Sequence, residues 1–278
     1  MPGSSIEWGV ALGGGGVRGF AHLGVLRVLE HEGLAPQALG GTSMGAIVAA
    51  LYATLPSLAA VETRLQDFFR RIGPEFLRMA KETAAAPGTI SLDRPSLMDP
   101  VVFHEFFDEL IPDVRFDQTR MPLAIVAVDL LTGGEIVYTS GPLRPAVLGS
   151  AALPGIFPPI THDSRVLIDG GWTSRIPVSA TRTLGASRVV AVEVSEAPDN
   201  GPVPVPTTGL GIVLRAAEIT RNHLARLQAA EADVLIRPQT GHILLHDVSS
   251  LLDCARLGMV AAKAALPRLS ALRTAPRR

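Results

Sequence analysis

The sequence predicts an α/β fold, with a mostly parallel central sheet covered by helices on both faces. Short apolar runs of strand length alternate with helical patterns, which is how strand–crossover–strand units read. The 27 glycines and 22 prolines are spread along the chain and fall where those runs end. Of the 278 residues, 47% are hydrophobic and 18% charged. That is enough apolar material for one large domain, with or without an appended subdomain.

Trp8 to Leu12 is a strand-like run that breaks into Gly13-Gly14-Gly15-Gly16. After Arg18 and Gly19 comes a helical pattern, with Phe20, Leu23, Leu26 and Leu29 on one face and Gly33 as C-terminal cap. The same grammar repeats at once: Leu39, then Gly41-Thr42-Ser43-Met44-Gly45, then Ala46 to Leu55 as a nearly all-apolar, hence buried, helix. From about Arg64 to Gln118 the character changes, and seven of the nine phenylalanines lie there. Helical segments are expected in this stretch, with breaks at Pro74, Pro87, Gly88, Pro95 and Pro100. Phe103, Phe106, Phe107 and Leu110 share a helical face. That face either packs on the core or belongs to a cap lining an acyl groove or touching membrane. Leu123 to Val128 reads as a strand, and Glu135 to Thr139 as its hairpin neighbour. Val166 to Ile168 is a short strand ending at Asp169-Gly170-Gly171, and Val189 to Val194 is a central one. Ala197 to Pro206 is a proline-rich linker. Helices at about Leu210–Glu231 and Ser250–Leu266 flank a strand at Val234–Ile236. The mixed charge of the first marks it as a packed surface helix and not a membrane anchor.

Composition removes several classes of function. An apolar, nearly neutral chain (formal net charge −1) is not intrinsically disordered and offers no basic stripe for nucleic acid. A single cysteine, Cys254, excludes an internal disulfide and suits a reducing compartment. The apolar stretch Gly45 to Leu55 stops at Pro56, short of the roughly 20 residues that span a bilayer. The N-terminus carries no secretory signal pattern. A cytoplasmic protein is therefore expected.

The sharpest chemical signal is Gly41-x-Ser43-x-Gly45 between a strand and a buried helix. A serine on so tight a turn adopts strained angles, and flanking glycines remove the Cβ clashes the turn would create. Its hydroxyl is lifted off the sheet at a helix N-terminus. The second signal is Gly14-Gly15-Gly16-Val17-Arg18-Gly19, where backbone N–H groups and a helix dipole meet. It reads as a phosphate cradle, as an oxyanion hole, or as a structural turn. The dinucleotide reading wants an acid about 20 residues on. That place holds Gln37-Ala38-Leu39-Gly40, and a Walker lysine is absent too. A nucleophilic serine needs a base. None of the seven histidines sits in a strand-end glycine context, and His22 reads as packed on its helix. Asp169 ends a strand before two glycines, and a partly desolvated carboxylate can serve as the base itself. No paired ligand spacing for a metal is present, so neither metal nor cofactor is expected.

In this order the runs Gly14–Gly19, Gly41–Gly45 and Asp169–Gly171 resemble the patatin-like phospholipase family. Gly24-Val25-Leu26 and the stretch Ser150 to Pro159 look like its bacterial members. The resemblance covers residues 8–196 well and fades by about Pro238. It implies a three-layer α/β/α catalytic domain over 8–196, with 64–120 as a helical, Phe-rich, cap-like insertion. Residues 197–278 form a C-terminal extension packed on the same domain. It further implies a serine acyl hydrolase acting on phospholipid or lysophospholipid esters through an acyl-enzyme, with transient membrane-surface contact. Ser43 is then the nucleophile, Asp169 the base, and Gly14, Gly15 and Gly16 the oxyanion hole. Arg18 braces that loop, with Gly19, Gly41, Gly45, Gly170 and Gly171 in support. An acyltransferase or thioesterase using the same pair, or a phosphate-binding protein using the glycine loop, is the alternative. One departure stands out: the family often has Asn-Pro soon after Asp-Gly-Gly, and here Ser174-Arg175 precedes Ile176-Pro177-Val178. How the Asp169 loop is held is left open.

Overall fold

Side chains alternate along the central strands and are buried on both sides, so the sheet must be covered on both faces. A computed structural model describes residues 6–85, 94–195, 205–244 and 246–274. Strand β1 (Trp8–Leu12) leads through a 3-10 turn, Gly16–Phe20, into α1 (Ala21–His31). Then follow β2 (Ala38–Thr42), α2 (Met44–Thr54), α3 (Leu58–Ala85) and α4 (Pro100–Leu110). The middle of the chain supplies β3 (Leu123–Asp129), β4 (Glu135–Tyr138), α5 (Leu143–Ala151), β5 (Ile160–His162) and β6 (Arg165–Asp169). The last elements are α6 (Val178–Arg182), β7 (Arg188–Val192), α7 (Gly209–Ala230), β8 (Val234–Ile236) and α8 (Leu251–Thr274).

The sheet order is β5-β6-β3-β2-β1-β7-β8, with β4 also paired to β3. The run β3-β2-β1-β7-β8 is parallel throughout, whereas β4, β5 and β6 form an antiparallel margin. Val10 and Leu12 of β1, with Val190 and Val192 of β7, face the larger core, which α1, α2, α5 and α8 complete. Ala11, Val189 and Ala191 point the other way, into a smaller core closed by Val178 of α6 and by Ala225 and Ala229 of α7. This is a three-layer α/β/α arrangement.

Helices α1 and α8 meet at backbone distance. A Cβ on Gly24 would lie 1.9 Å from the Ala255 carbonyl oxygen, and one on Gly258 2.0 Å from that of Ala21. Gly33 follows α1 with φ +67°, the left-handed geometry that closes a helix, and Leu34 N–H donates back to Leu29. Pro74 does not break the chain as expected: it lies inside α3. A proline removes one helical hydrogen bond and crowds the preceding turn. Here Val61, Leu65, Phe68, Phe69 and Ile72 before it and Met79 after it are buried on one stripe, and that packing holds the helix together. The expected breaks at Pro87 and Gly88, and most of the 197–206 linker, lie outside the described residues.

The aromatic stretch is core. Phe103 and Phe107 stack at 4.3 Å, and Phe68 and Phe157 each pack against Phe107. Phe103, Phe107 and Leu110 are buried, and Phe106 is half-buried beneath Arg71. Phe103, Phe107 and Leu110 therefore face inward.

Candidate active site

The register of β3 brings the serine and aspartate motifs together. Thr42, the last residue of β2, pairs with Val126. Asp169, the last of β6, pairs with Ala127, the next residue along. Two strands distant in sequence thus end at one place. There the chain turns off β2 at Ser43, whose backbone (φ 55°, ψ −124°) lies in a region non-glycine residues rarely adopt. Ser43 is the N-cap of α2, so the helix dipole favours negative charge beside it. The Ser43 N–H donates to the Ser150 hydroxyl at 3.0 Å. On α2, a Cβ at Gly45 would sit 2.0 Å from the Leu12 carbonyl oxygen, so only glycine lets the helix start against the end of β1.

Asp169 is 1% exposed. Its Oδ1 accepts from the Gly171 N–H at 2.7 Å, which folds the following residues into a tight turn. Burial pushes its carboxyl up from the ordinary value. Against that act the hydrogen bond from the Ser43 side chain, the Arg221 guanidinium, the Gly171 amide and the Arg175 guanidinium, in that order.

The glycine loop lies across Ser43. A Cβ on Gly14 would come 3.1 Å from that of Ser43. The Gly14 amide, however, donates to the Arg175 carbonyl at 3.0 Å and Gly13 to Val192 at 3.0 Å. Gly14 is thus corrected as an oxyanion donor: its N–H is already occupied, and its contribution is the missing side chain. For the Gly15 and Gly16 amides no acceptor is found among the described residues. Gly16 has φ +54°, and a Cβ on Gly19 would collide with Met44 at 2.3 Å, so both positions need glycine. The Arg18 side chain is taken up by backbone carbonyls. It donates to the carbonyls of Ile243 (2.6 Å), Gly241 (3.0 Å) and Ser195 (3.2 Å), bracing the loop to the C-terminal part of the chain.

Where the family often has Asn-Pro, Ser174 and Arg175 are held through their backbone carbonyls. The Thr42 hydroxyl donates to the Ser174 carbonyl at 2.8 Å, and Gly14 to that of Arg175. Helix α7 clamps the same loop from outside. Arg221 Nε donates to the Gly171 carbonyl at 3.1 Å and lies 4.9 Å over the Trp172 ring. Gln228 donates to Thr173 at 2.7 Å and accepts from Ile176 N–H at 3.1 Å. Arg175 reaches Asn222.

No histidine hydrogen-bonds Ser43 or Asp169 among the described residues. His22 is buried behind the glycine loop, with Nε2 on the Gly13 carbonyl at 2.8 Å. Burial holds it neutral, with its pKa pulled down to about 4. Among the described residues no group of three or more His, Cys, Asp or Glu side chains could hold a metal ion.

The model of the patatin-like phospholipase family matches residues 10–182, more than half of the chain. The chain belongs to the patatin-like phospholipase family. A patatin-like phospholipase domain-containing protein of Caenorhabditis elegans is 32% identical over 188 residues, covering 67% of this chain and 13% of that protein. The fungal lysophospholipase NTE1 of Mycosarcoma maydis is 32% identical over 201 residues, covering 70% of this chain and 10% of its own length. The chain spans between about a tenth and about a sixth of the length of such relatives. Among solved structures, VipD from Legionella pneumophila superposes with a TM-score of 0.51 at 13% identity, over 95% of this chain and 67% of VipD. That likeness is one of fold.

Sequence reasoning missed Ser150, Arg221 and the hold of His22 on Gly13. Ser150 opens a run that looked family-like, but nothing local ties it to the Ser43 amide. Arg221 lies on a helix read as a packed surface helix with no tie to the site, far along the chain from Asp169.

Proposed function

We propose that this chain is a lipid acyl hydrolase that cleaves carboxylic esters of phospholipids or lysophospholipids through a Ser43–Asp169 dyad. The observation that carries it is that Thr42, next to the strained Ser43, and the buried Asp169 pair with consecutive residues of β3. Family membership supports the lipid ester as substrate class.

Asp169 takes the Ser43 hydroxyl proton as the oxygen adds to the ester carbonyl carbon. The carbonyl π pair moves onto its oxygen, where the Gly15 and Gly16 amides stabilise the oxyanion, each worth about 10²–10³-fold in rate. Collapse expels the alcohol, which leaves with the proton from Asp169. Water then gives a proton to Asp169 while its oxygen attacks the acyl carbon. Ser43 Oγ departs, recovers that proton, and the fatty acid is released. The raised proton affinity that burial gives Asp169 suits a carboxylate acting as general base without histidine.

The test is hydrolysis of a soluble short-chain p-nitrophenyl ester and of lysophosphatidylcholine. Wild type should release nitrophenol and fatty acid, and Ser43→Ala should be slower by about 10³-fold or more. Undiminished hydrolysis by Ser43→Ala would overturn the reading. Product analysis with glycerol present separates transfer to an alcohol from transfer to water.

A further inference from the structure

The C-terminal end of α5 touches both members of the proposed pair. The Ser150 hydroxyl accepts from the Ser43 N–H at 3.0 Å. Two residues on, the Ala152 carbonyl accepts from the Asp169 N–H at 2.9 Å. Ser150 and Ala152 are both fully buried. The helix that carries them is itself fixed. Leu143, Ala146, Val147 and Leu148 lie in the larger core. A Cβ on Gly149 would come 2.8 Å from that of Leu167, so glycine lets α5 lie this close on β6.

Ser43 needs such a hold. A non-glycine residue at φ 55°, ψ −124° persists only where its surroundings over-determine it. The Ser43 carbonyl accepts from the Ala46 N–H at 2.9 Å and the Ile47 N–H at 3.1 Å, which starts α2 but ties the residue only to its own helix. The ladder between β2 and β3 stops at Thr42, so the sheet leaves Ser43 unpaired. Among the described residues, the bond to Ser150 is the one that anchors the Ser43 backbone to another element.

We propose that Ser150 is a positioning residue: through its hydroxyl α5 sets Ser43, through the Ala152 carbonyl it sets Asp169, and one rigid helix end thereby fixes the spacing of nucleophile and base. This rests on the dyad reading above and adds to it the group that holds the two residues in register. Removing the hydroxyl leaves the Ser43 N–H without its acceptor, and the strained turn relaxes toward ordinary angles. Ser43 Oγ then moves off the line between Asp169 and the ester carbon. A misplacement of about 1 Å costs on the order of 10²-fold in rate. Asp169 also loses the hydrogen bond from the Ser43 side chain, which favours its ionised form. Arg221 of α7, the Gly171 amide and Arg175 still face it. Its proton affinity therefore rises, and the acid limb of activity moves to higher pH.

The test compares wild type, Ser150→Ala, Ser150→Thr and Ser43→Ala on the soluble p-nitrophenyl ester. Active sites are counted by the end point of fluorophosphonate labelling, and folding is followed by thermal melting. Per labelled site, kcat/KM of Ser150→Ala should fall by roughly 10- to 10²-fold, with its acid limb at higher pH. Ser150→Thr keeps the hydroxyl and should keep the wild-type limb and most of the rate. A wild-type rate per labelled site in Ser150→Ala would overturn the proposal, and so would a slower rate with the limb unmoved. A residue that only fills space changes how many molecules fold, not how each one reacts. Ser150→Thr matching Ser150→Ala in rate and limb, while melting like wild type, would likewise show that the hydroxyl is not the acting group. These outcomes beside an inactive Ser43→Ala strike the role of Ser150 alone. Undiminished hydrolysis by Ser43→Ala would strike the dyad reading and this role with it.

Discussion

Burial and charge pull Asp169 in opposite directions, and Arg221 supplies the strongest fixed charge in that contest. In the proposed mechanism the carboxylate must be unprotonated to act as base, so activity should be present above its pKa and lost below it. Arg221→Gln removes a cation that favours the ionised form. The acid limb of kcat/KM on the soluble ester should therefore move to higher pH; a limb that stays put or moves lower would contradict the assignment. His22 gives a second residue-scale test through stability. Its folded pKa of about 4 lies below the ordinary 6.5, so the unfolded chain binds this proton first as pH falls. Stability from this site is full above pH 6.5 and lost progressively down to about 4, by about 3 kcal/mol at most. Urea titrations at the two ends of that window should show a smaller loss in His22→Gln than in wild type. The serine, glycine loop and aspartate were legible in the sequence because each turn demands particular residue types. The Gly14 amide was misread because its acceptor, a carbonyl of Arg175, is a backbone atom with no signature.

At the scale of elements, the crossing of α1 and α8 is the tightest contact that bears on the site. Helix α8 packs on α1 and on the 3-10 turn that follows the glycine loop. A methyl group on Gly258 would lie 2.0 Å from the Ala21 carbonyl oxygen, so the helices must separate. Gly258→Ala should cost about 1–3 kcal/mol, seen as a melting temperature lower by roughly 2–4 °C per kcal/mol. An unchanged melt would mean the helices are not locked there. The helix at Ala21–His31 was legible from its period and its Gly33 cap, and that at Met44–Thr54 from its nearly unbroken apolar run. Helix α5 and strand β5 were not, because Leu143–Ala151 and Ile160–His162 are short and owe their conformation to packing and pairing. Pro74 misled for the same reason, since the buried stripe of α3 outweighs one lost hydrogen bond.

Across the whole molecule, alternating strand and helix patterns made the parallel half of the sheet legible. The hairpin of β3 and β4 was legible as well, but the antiparallel pairing of β6 with β3, which delivers Asp169, was not, because it is written in no local pattern. The proposed dyad is thus a property of topology, with Ser43 and Asp169 brought together only once β2, β3 and β6 are assembled. Its most direct test is the rate at which a serine-reactive fluorophosphonate modifies the intact protein, followed by mass spectrometry. Wild type should gain one adduct, on Ser43, and Ser43→Ala none. Asp169→Asn should react at least about 10²-fold more slowly, and single replacements of the histidines other than His22 should react at the wild-type rate. A histidine variant with a wild-type melt that reacts as slowly as Asp169→Asn would contradict the two-residue mechanism.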